Sequence, residues 1–527
     1  MAIGNIYFIA GIAVIGGGLF GFDISSMSAI IGTQQYKCYF NQGPVPCQGP
    51  TSSTQGGITA AMAGGSWLAA LISGYITDLF GRKKAIMVGA VIWVIGSIIV
   101  SASQNIAMLI VGRIINGFSV GICSAQVPVY ITELSQPTIR GRLVGAQQWA
   151  ITWGIMIMFY VSYGCSFINS SAAFRVAWAL QMIPAILLFI GMIFLPESPR
   201  WLARKGRWEE SLAVLVLVHG KGDPNSPWVA KEYKEIQEYC EIEAANADVT
   251  YWELLTPRYL NRTHIGVFCQ IWSQLTGMNV MMYYITYVFT MAGLTGNNLL
   301  VSSSIQYVIN VVMTIPALIF VDRWGRRPTL LIGAALMMTW LFANAGILAT
   351  YGTPMPNGID GTREATTKVT GAASKAVIAC SYLFVASYAP TWGPVSWIYP
   401  PELYPLRVRG KAVSLATSAN WAFNFALGYF VPPAFENIAW RTYIVFGVFC
   451  IAMFIHVFFM FPETAGKPLE EVTAIFEDPN GIPGIGTPAW KTRNTYSKTA
   501  REEKGEIDDF VPASKVADTT PPASEKV

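Results

Sequence analysis

The feature that most constrains this chain recurs along most of its length. Apolar runs close to 20 residues, the length a helix needs to cross a bilayer, follow one another with short polar breaks. We read twelve, near residues 6–30, 56–77, 85–103, 107–131, 143–164, 175–195, 263–291, 301–321, 329–350, 374–400, 411–432 and 440–461. In hydrocarbon a segment must satisfy its own backbone N–H and C=O groups, and runs this long do so as helices rather than barrel strands. The first run has no Lys or Arg before it and no clear cleavage site, so it reads as a span and not as a signal peptide. Composition agrees. Charged residues are 13% of the chain, against about 25% in a soluble domain. That excludes a string of soluble domains, a coiled coil and a nucleic-acid-binding protein. The expected fold class is an all-α polytopic membrane protein.

The charges that remain are sorted by side. With both termini placed inside, 28 of the 35 Lys and Arg fall on the cytoplasmic face. The short loops after the second, fourth, eighth and tenth spans carry 82–84, 140 and 142, 323, 326 and 327, and 407, 409 and 411. This predicts twelve spans with cytoplasmic N and C termini. Residues 1–195 form the first bundle, 196–262 a cytoplasmic linker with short helices, 263–461 the second bundle, and 462–527 a mostly disordered cytoplasmic tail.

The two bundles repeat one another. Asp78-Leu-Phe-Gly-Arg-Lys-Lys84 follows the second span, and Asp322-Arg-Trp-Gly-Arg-Arg327 follows the eighth. Glu133 and Arg140 lie seven apart after the fourth span, as Glu402 and Arg409 do after the tenth, at an offset of 269. Pro196-Glu-Ser-Pro-Arg200 follows the sixth, and Pro462-Glu-Thr-Ala-Gly466 the twelfth. Parallel halves of this kind are a transporter architecture with the substrate site between them at mid-membrane. Arg82, Glu133, Arg140, Arg323, Glu402 and Arg409 are the expected cytoplasmic gate, pairing across the halves to close the inner side. The alternative is that the basic residues only set topology. Acidic residues contribute little to topology, which favours the gate for the Glu–Arg sets.

These motifs, with Gly112-Arg113 through Gly121, Gln274-Leu-Thr-Gly-Met-Asn279 and Tyr283-Tyr284, resemble the sugar porter family of the major facilitator superfamily, and are most similar to fungal high-affinity hexose (glucose) transporters. The resemblance implies two pseudo-symmetric six-helix bundles in the plasma membrane that work by alternating access. It also implies a substrate site at Gln148, Gln274, Asn279, Asn310, Trp397 and Asn420, and an outer gate at Tyr283 and Tyr284. Where the family usually has two Gln on the seventh helix, the first is Ser273 here. An acidic residue that some relatives carry near Ala389 is absent.

The residue types support the same site. A pyranose offers a rim of hydroxyls and two C–H faces. Neutral amides donate and accept at once, and an aromatic ring covers a face. One amide in a span is as readily helix–helix glue as a ligand contact, but five on helices framing one cavity favour the sugar. Asn424 and Asn344 stay nearer the glue reading. Charges inside spans are costly and mark function by default. Asp23, in Gly16-Gly-Gly-Leu-Phe-Gly-Phe-Asp23, and Arg113 have opposite signs in the same half and can pair. Moving Arg113 toward and away from Asp23 would load and release a proton. A purely structural pair, and passive facilitation, are the alternatives. The glycines of the first helix, with Gly117, Gly121 and Gly154, read as close helix packing. The first helix lacks the Lys-Ser/Thr of a phosphate loop.

Cys38 and Cys47 share the first outer loop, where a disulfide and two free thiols both stand open. Asn169-Ser-Ser is an outer glycosylation sequon. Only three His are present and no acids partner them, which argues against an enzyme. A sugar sensor would carry a longer tail. The expected partners are a monosaccharide, a proton and the lipid bilayer. No cofactor, metal or nucleic acid is expected, and the state is a monomer. Another polyol, or a disaccharide, is the remaining substrate alternative.

Overall fold

The computed structural model describes residues 3–492, apart from 43–45, 221, 225, 245–249, 357, 360–361, 466, 468, 479–480 and 483–484. The first six spans are Ile6–Ala13 with Ile15–Ile30, Ser52–Phe80, Arg82–Ser101, Ile106–Leu134, Pro137–Cys165, and Ala172–Leu180 with Met182–Ile193. The second six are Pro257–Leu275 with Met278–Tyr283 and Ile285–Met291, then Gly296–Trp324, Arg326–Tyr351, Ala372–Tyr388 with Trp392–Leu403, Leu406–Ile438 and Arg441–Met460. They form the two six-helix bundles expected from the repeat.

Local chemistry sets the ends. Thr51 and Asn105 cap the second and fourth spans by accepting from the Thr54 and Met108 N–H groups at 3.3 and 2.8 Å. Pro137 and Pro257 open the fifth and seventh, where a missing N–H costs nothing. Gly81 and Gly325, at φ 94° and 83°, turn the chain sharply between the second and third and the eighth and ninth spans. Spans 1 and 5 meet backbone to backbone at Gly18, Gly21 and Gly154, and spans 2 and 4 do so at Gly65, Gly117 and Gly121. The outward faces carry Leu68, Ile72, Ile95, Ile183, Leu187 and Ile332, the surface a bilayer would cover.

Nine helical segments among the described residues are long and apolar enough to qualify as spans on those criteria alone. The fifth, seventh and eleventh fall short. These three carry Gln148, Gln274 with Asn279, and Asn420, the amides that dilute their apolar character. Across the halves, span 2 packs on span 11 and span 5 on span 8.

The linker forms helices at Pro199–Arg204, Trp208–Val218 and Pro227–Ala244 and a 3-10 turn at Tyr251–Leu255. Ala203, Leu215, Val229 and Ile236 bury a small core of their own. The start of the tail is more ordered than its polar composition suggests. Leu469–Phe476 is helical, and the segment to Thr492 straps back onto the second bundle. Thr492 Oγ1 accepts from the Glu463 N–H at 2.8 Å, and Trp490 meets the Phe459 ring edge-on at 5.8 Å. The expectation of disorder beyond Thr492 lies outside the described residues.

Candidate substrate site

Asp23 and Arg113 meet in the middle of the first bundle. Arg113 Nη2 and Nη1 donate to the two carboxylate oxygens at 2.8 and 3.2 Å. Its Nε donates to the Ile58 carbonyl at 2.8 Å and its Nη2 also to Thr59 at 3.3 Å. Both side chains are 1% exposed. A lone charge at this depth would cost several kcal/mol, and the two-pronged contact is what makes burial of both tolerable.

The amides form a separate cluster between the two bundles. In an unbroken helix Gln274 and Asn279 would point to different faces. The seventh span is broken at Gly277, in the left-handed region at φ 85°. Asn279 Nδ2 thereby reaches back to donate to Gln274 Oε1. Gln274 Nε2 in turn donates to Asn420 Oδ1 on the eleventh span at 2.6 Å. A string of three amides results. Asn420 Nδ2 and Asn310 Oδ1 are buried without a hydrogen-bond partner among the described residues. Asn310 Nδ2 lies 3.8 Å from Met282 Sδ. Trp397 Nε1 donates to Gln148 Oε1 at 3.2 Å, which joins the tenth span to the fifth and so one half to the other. Ser273, at the position of the missing Gln, shares a 3.2 Å hydrogen bond with the Tyr388 hydroxyl. Tyr388 is an aromatic neighbour of the site that sequence reasoning missed.

Above this cluster, on the face poor in charge, the halves are closed. Tyr283 and Tyr284 are each 1% exposed at a second break of the seventh span. Tyr284 donates to the Gly428 carbonyl at 2.7 Å. Ser28 and Tyr307 share a 2.9 Å bond from span 1 to span 8, and Tyr160 donates to Ser304 Oγ at 3.3 Å. Below it, on the basic face, a cavity of about 440 Å³ separates the halves. Gly74, Thr77, Gln126 and Glu133 line one side, Pro401 and Arg409 the other.

The basic rim is built twice. In the first half Arg82 Nη2 pairs with Glu133 Oε1 at 2.9 Å, and Ser198 Oγ donates to the same carboxylate. Glu197 accepts from the N–H groups of Arg82 and Lys83 at 3.0 and 3.1 Å. In the second half Arg326 Nη2 pairs with Glu402 Oε1 at 2.6 Å and Thr464 Oγ1 donates to Glu402 Oε2 at 2.6 Å. Glu463 accepts from Arg326 and Arg327 N–H at 2.8 and 3.1 Å. Each Glu thus caps the N-terminus of a span, where a carboxylate is favoured. Burial raises the Glu197 carboxyl above its ordinary range even with these donors.

The cross-half pairing expected when the site faces outward is not made by these residues in this conformation, and one gate residue needs correction. The ion pairs that Arg82 and Glu402 make stay within their own halves and do not bridge them. Arg409 likewise donates to the Tyr404 carbonyl of its own half at 3.1 Å. The Arg that matches Arg82 is Arg326, not Arg323. Arg326 is the first residue after the positive-φ glycine and folds inward, while Arg323 sits a turn earlier and is exposed. Aligning Asp78–Arg82 with Asp322–Arg326 gives that register. The Arg140 side chain lies outside the described residues.

Residues 9–476 match the model of the sugar (and other) transporter family. The chain belongs to that family. A high-affinity glucose transporter from Kluyveromyces lactis is 51% identical over 93% of this chain and 87% of its own. An MFS glucose transporter from Aspergillus flavus is 47% identical, over 95% and 94%. Among solved structures, the proton:xylose symporter XylE bound to 6-bromo-6-deoxy-D-glucose superposes with a TM-score of 0.72 at 26% identity. That match covers 89% of this chain and 98% of XylE. The fold is thus the major facilitator fold, and the family's members are carriers, not enzymes.

On the charge-poor face of this sugar transporter, Cys38 and Cys47 form a disulfide. Asn169 is exposed in the turn between the fifth and sixth spans. The rings of His264 and His456, scattered in sequence, meet tilted at 41° with centroids 4.9 Å apart on the seventh and twelfth spans. Trp272 Nε1 donates to His456 Nδ1 at 2.7 Å. The described residues hold no group of three metal-ligating side chains.

Proposed function

We propose that this protein is a plasma-membrane monosaccharide transporter that works by alternating access and couples sugar entry to an inward proton. The observation that carries the coupling is the fully buried, two-pronged Asp23–Arg113 pair within the first bundle. An Asp beside Arg⁺ stays ionised; moved away from it in the same apolar surroundings, it takes up a proton. A rearrangement that lengthens the pair therefore loads a proton, and one that restores it releases the proton. Each inward proton gains about 2.3 kcal/mol per 100 mV.

The sugar is a monosaccharide: a hexose, with glucose favoured by the names of the fungal relatives, or the pentose xylose, as in the name of the bacterial structure. Its hydroxyls bond Gln148, Gln274, Asn279, Asn310 and Asn420, and the Trp397 ring covers a C–H face. The positive-inside rule places the basic rim in the cytoplasm together with both termini. On that assignment the closed face is the outer one, with Tyr283 and Tyr284 as its gate, and this conformation faces inward. Cross-half contacts of the rim belong to the outward-facing state, and the pairs within each half keep it rigid as it rocks. The chain acts as a monomer, each copy holding a complete site, and Asn169 is its outer glycosylation site.

Uptake of labelled glucose, xylose and a disaccharide in a transport-null yeast, with and without a protonophore, tests this. We expect concentrative monosaccharide uptake that collapses with the protonophore. Uptake indifferent to it would mean facilitated diffusion, and preference for the disaccharide would overturn the substrate assignment.

A further inference from the structure

The loop between the ninth and tenth spans, residues 352–371, lies over the closed outer face. A short antiparallel pairing, Thr353 with Lys368 and Pro354 with Thr367, shapes it. It is bound to both halves. Toward the second bundle, the Val369 N–H donates to the Met291 carbonyl at 2.9 Å, and Thr366 Oγ1 to the Phe435 carbonyl at 3.1 Å. Toward the first, Lys37 Nζ donates to Thr362 Oγ1 at 3.1 Å, and Arg363 Nη2 to Gln48 Oε1 at 2.7 Å. The helix Gln34–Tyr39 that carries Lys37 is held by the Cys38–Cys47 disulfide.

At the centre of this plug is a carboxylate that transport, as described above, does not use. Glu364 is 5% exposed, an unusual depth for an acid in an outer loop. The Ser52 hydroxyl of the first bundle stands against it. Around it are Lys37 and Tyr36 from the first outer helix, Tyr284 and Tyr287 from the seventh span, and Glu436 near the end of the eleventh. Of these only Lys37 is cationic, its ammonium is bonded to Thr362, and Glu436 opposes it. Burial outweighs the pull of Lys37 and raises the Glu364 carboxyl above its ordinary range.

We propose that Glu364 is a proton-sensitive latch of the outer face, which takes up a proton when the plug closes and gives it back to the outside when the plug opens. Opening separates the halves on this side, so Glu364 must leave Ser52, Lys37 and Tyr36 while the loop stays with Met291 and Phe435. Water then reaches the carboxyl and its ordinary acidity returns. The sign follows. The closed state binds the proton more tightly, so external acid favours closure and neutral or alkaline pH favours opening. This latch moves no net charge across the membrane and is separate from the Asp23–Arg113 pair. Only its placement on the outside rests on the orientation proposed above.

The test uses the full chain in cells with Ser28→Cys, a side chain hidden against Tyr307 until spans 1 and 8 part, in a Cys165→Ser background. A membrane-impermeant thiol reagent reports outer opening. We compare its labelling rate with and without Glu364→Gln, so that the pH dependence of the thiol cancels in the ratio. Glu364→Gln mimics the protonated, closed-favouring form. We expect the chain with Glu364 to label about threefold faster or more at pH 7.5, and the two to converge at pH 5. Glu364→Asp should retain the pH response. A ratio that does not change with pH overturns the latch. Asp23→Asn should leave the change in ratio intact, and its disappearance there would assign the pH response to Asp23 and likewise overturn it. A persistent response in a transporter that moves no protons with sugar would sink the coupling reading and leave the latch standing.

Discussion

The Asp23–Arg113 pair is fully buried and the Asn279–Gln274–Asn420 string is buried except at Asn279, and the two are completed to different degrees. Arg113 donates from Nε and both terminal nitrogens, to a carboxylate and two carbonyls. The string ends on Asn420 Nδ2, and Asn310 Oδ1 lies on the eighth span, both without a protein partner among the described residues. Unmade hydrogen bonds in a dry interior cost about 1–3 kcal/mol each, so open amide atoms on helices between the two bundles are candidates for ligand contacts. A filled pair of full charges has room for little but a proton. A part-filled set of neutral amides suits a ligand rich in hydroxyls. On the function proposed above, the difference gives driving force to one region and recognition to the other.

The comparison can be broken first at the pair. Asp23→Asn leaves Arg113 buried without a counter-charge, a loss of about 3–5 kcal/mol. We expect concentrative uptake to fall roughly 100-fold or more at equal surface expression, read as steady-state accumulation of labelled sugar. Accumulation at the unmodified level would mean the pair is only structural. At the string, Gln274→Ala removes two hydrogen bonds of about 0.5–1.5 kcal/mol each. KM for sugar should rise roughly tenfold while the number of protons taken up per sugar stays the same. An unchanged KM would put the sugar elsewhere. The smallest effect is expected from Trp397→Phe, which keeps a ring and loses the N–H to Gln148. About 1 kcal/mol, or a few-fold in KM, should be lost, with no change in proton movement.

How far these features could be read from sequence depends on whether they leave a one-dimensional mark. Span positions were legible because apolar length is, and the fifth, seventh and eleventh were recognisable even though their amides dilute them. Asp23 and Arg113 stand out because a charge within an apolar run is rare. The pairing of Gln274 with Asn420, 146 residues apart, left no such mark. It depends on the break at Gly277, and a glycine in a span reads equally as packing. At the rim the repeat was plain but its register was not, since Arg323, Arg326 and Arg327 form one basic cluster and only the backbone turn at Gly325 selects Arg326. Glu364 was invisible for the opposite reason to Asp23. An acid in a polar loop looks solvated, and its burial is created entirely by the plug.

The most direct test of the division between pair and string is the pH of a weakly buffered medium after sugar is added to energised cells at low external pH. We predict a transient alkalinisation that Asp23→Asn abolishes, and that Gln274→Ala restores to full size once sugar is raised above its new KM. Sugar entry with no alkalinisation in the unmodified protein, or an alkalinisation that survives Asp23→Asn, would contradict the account.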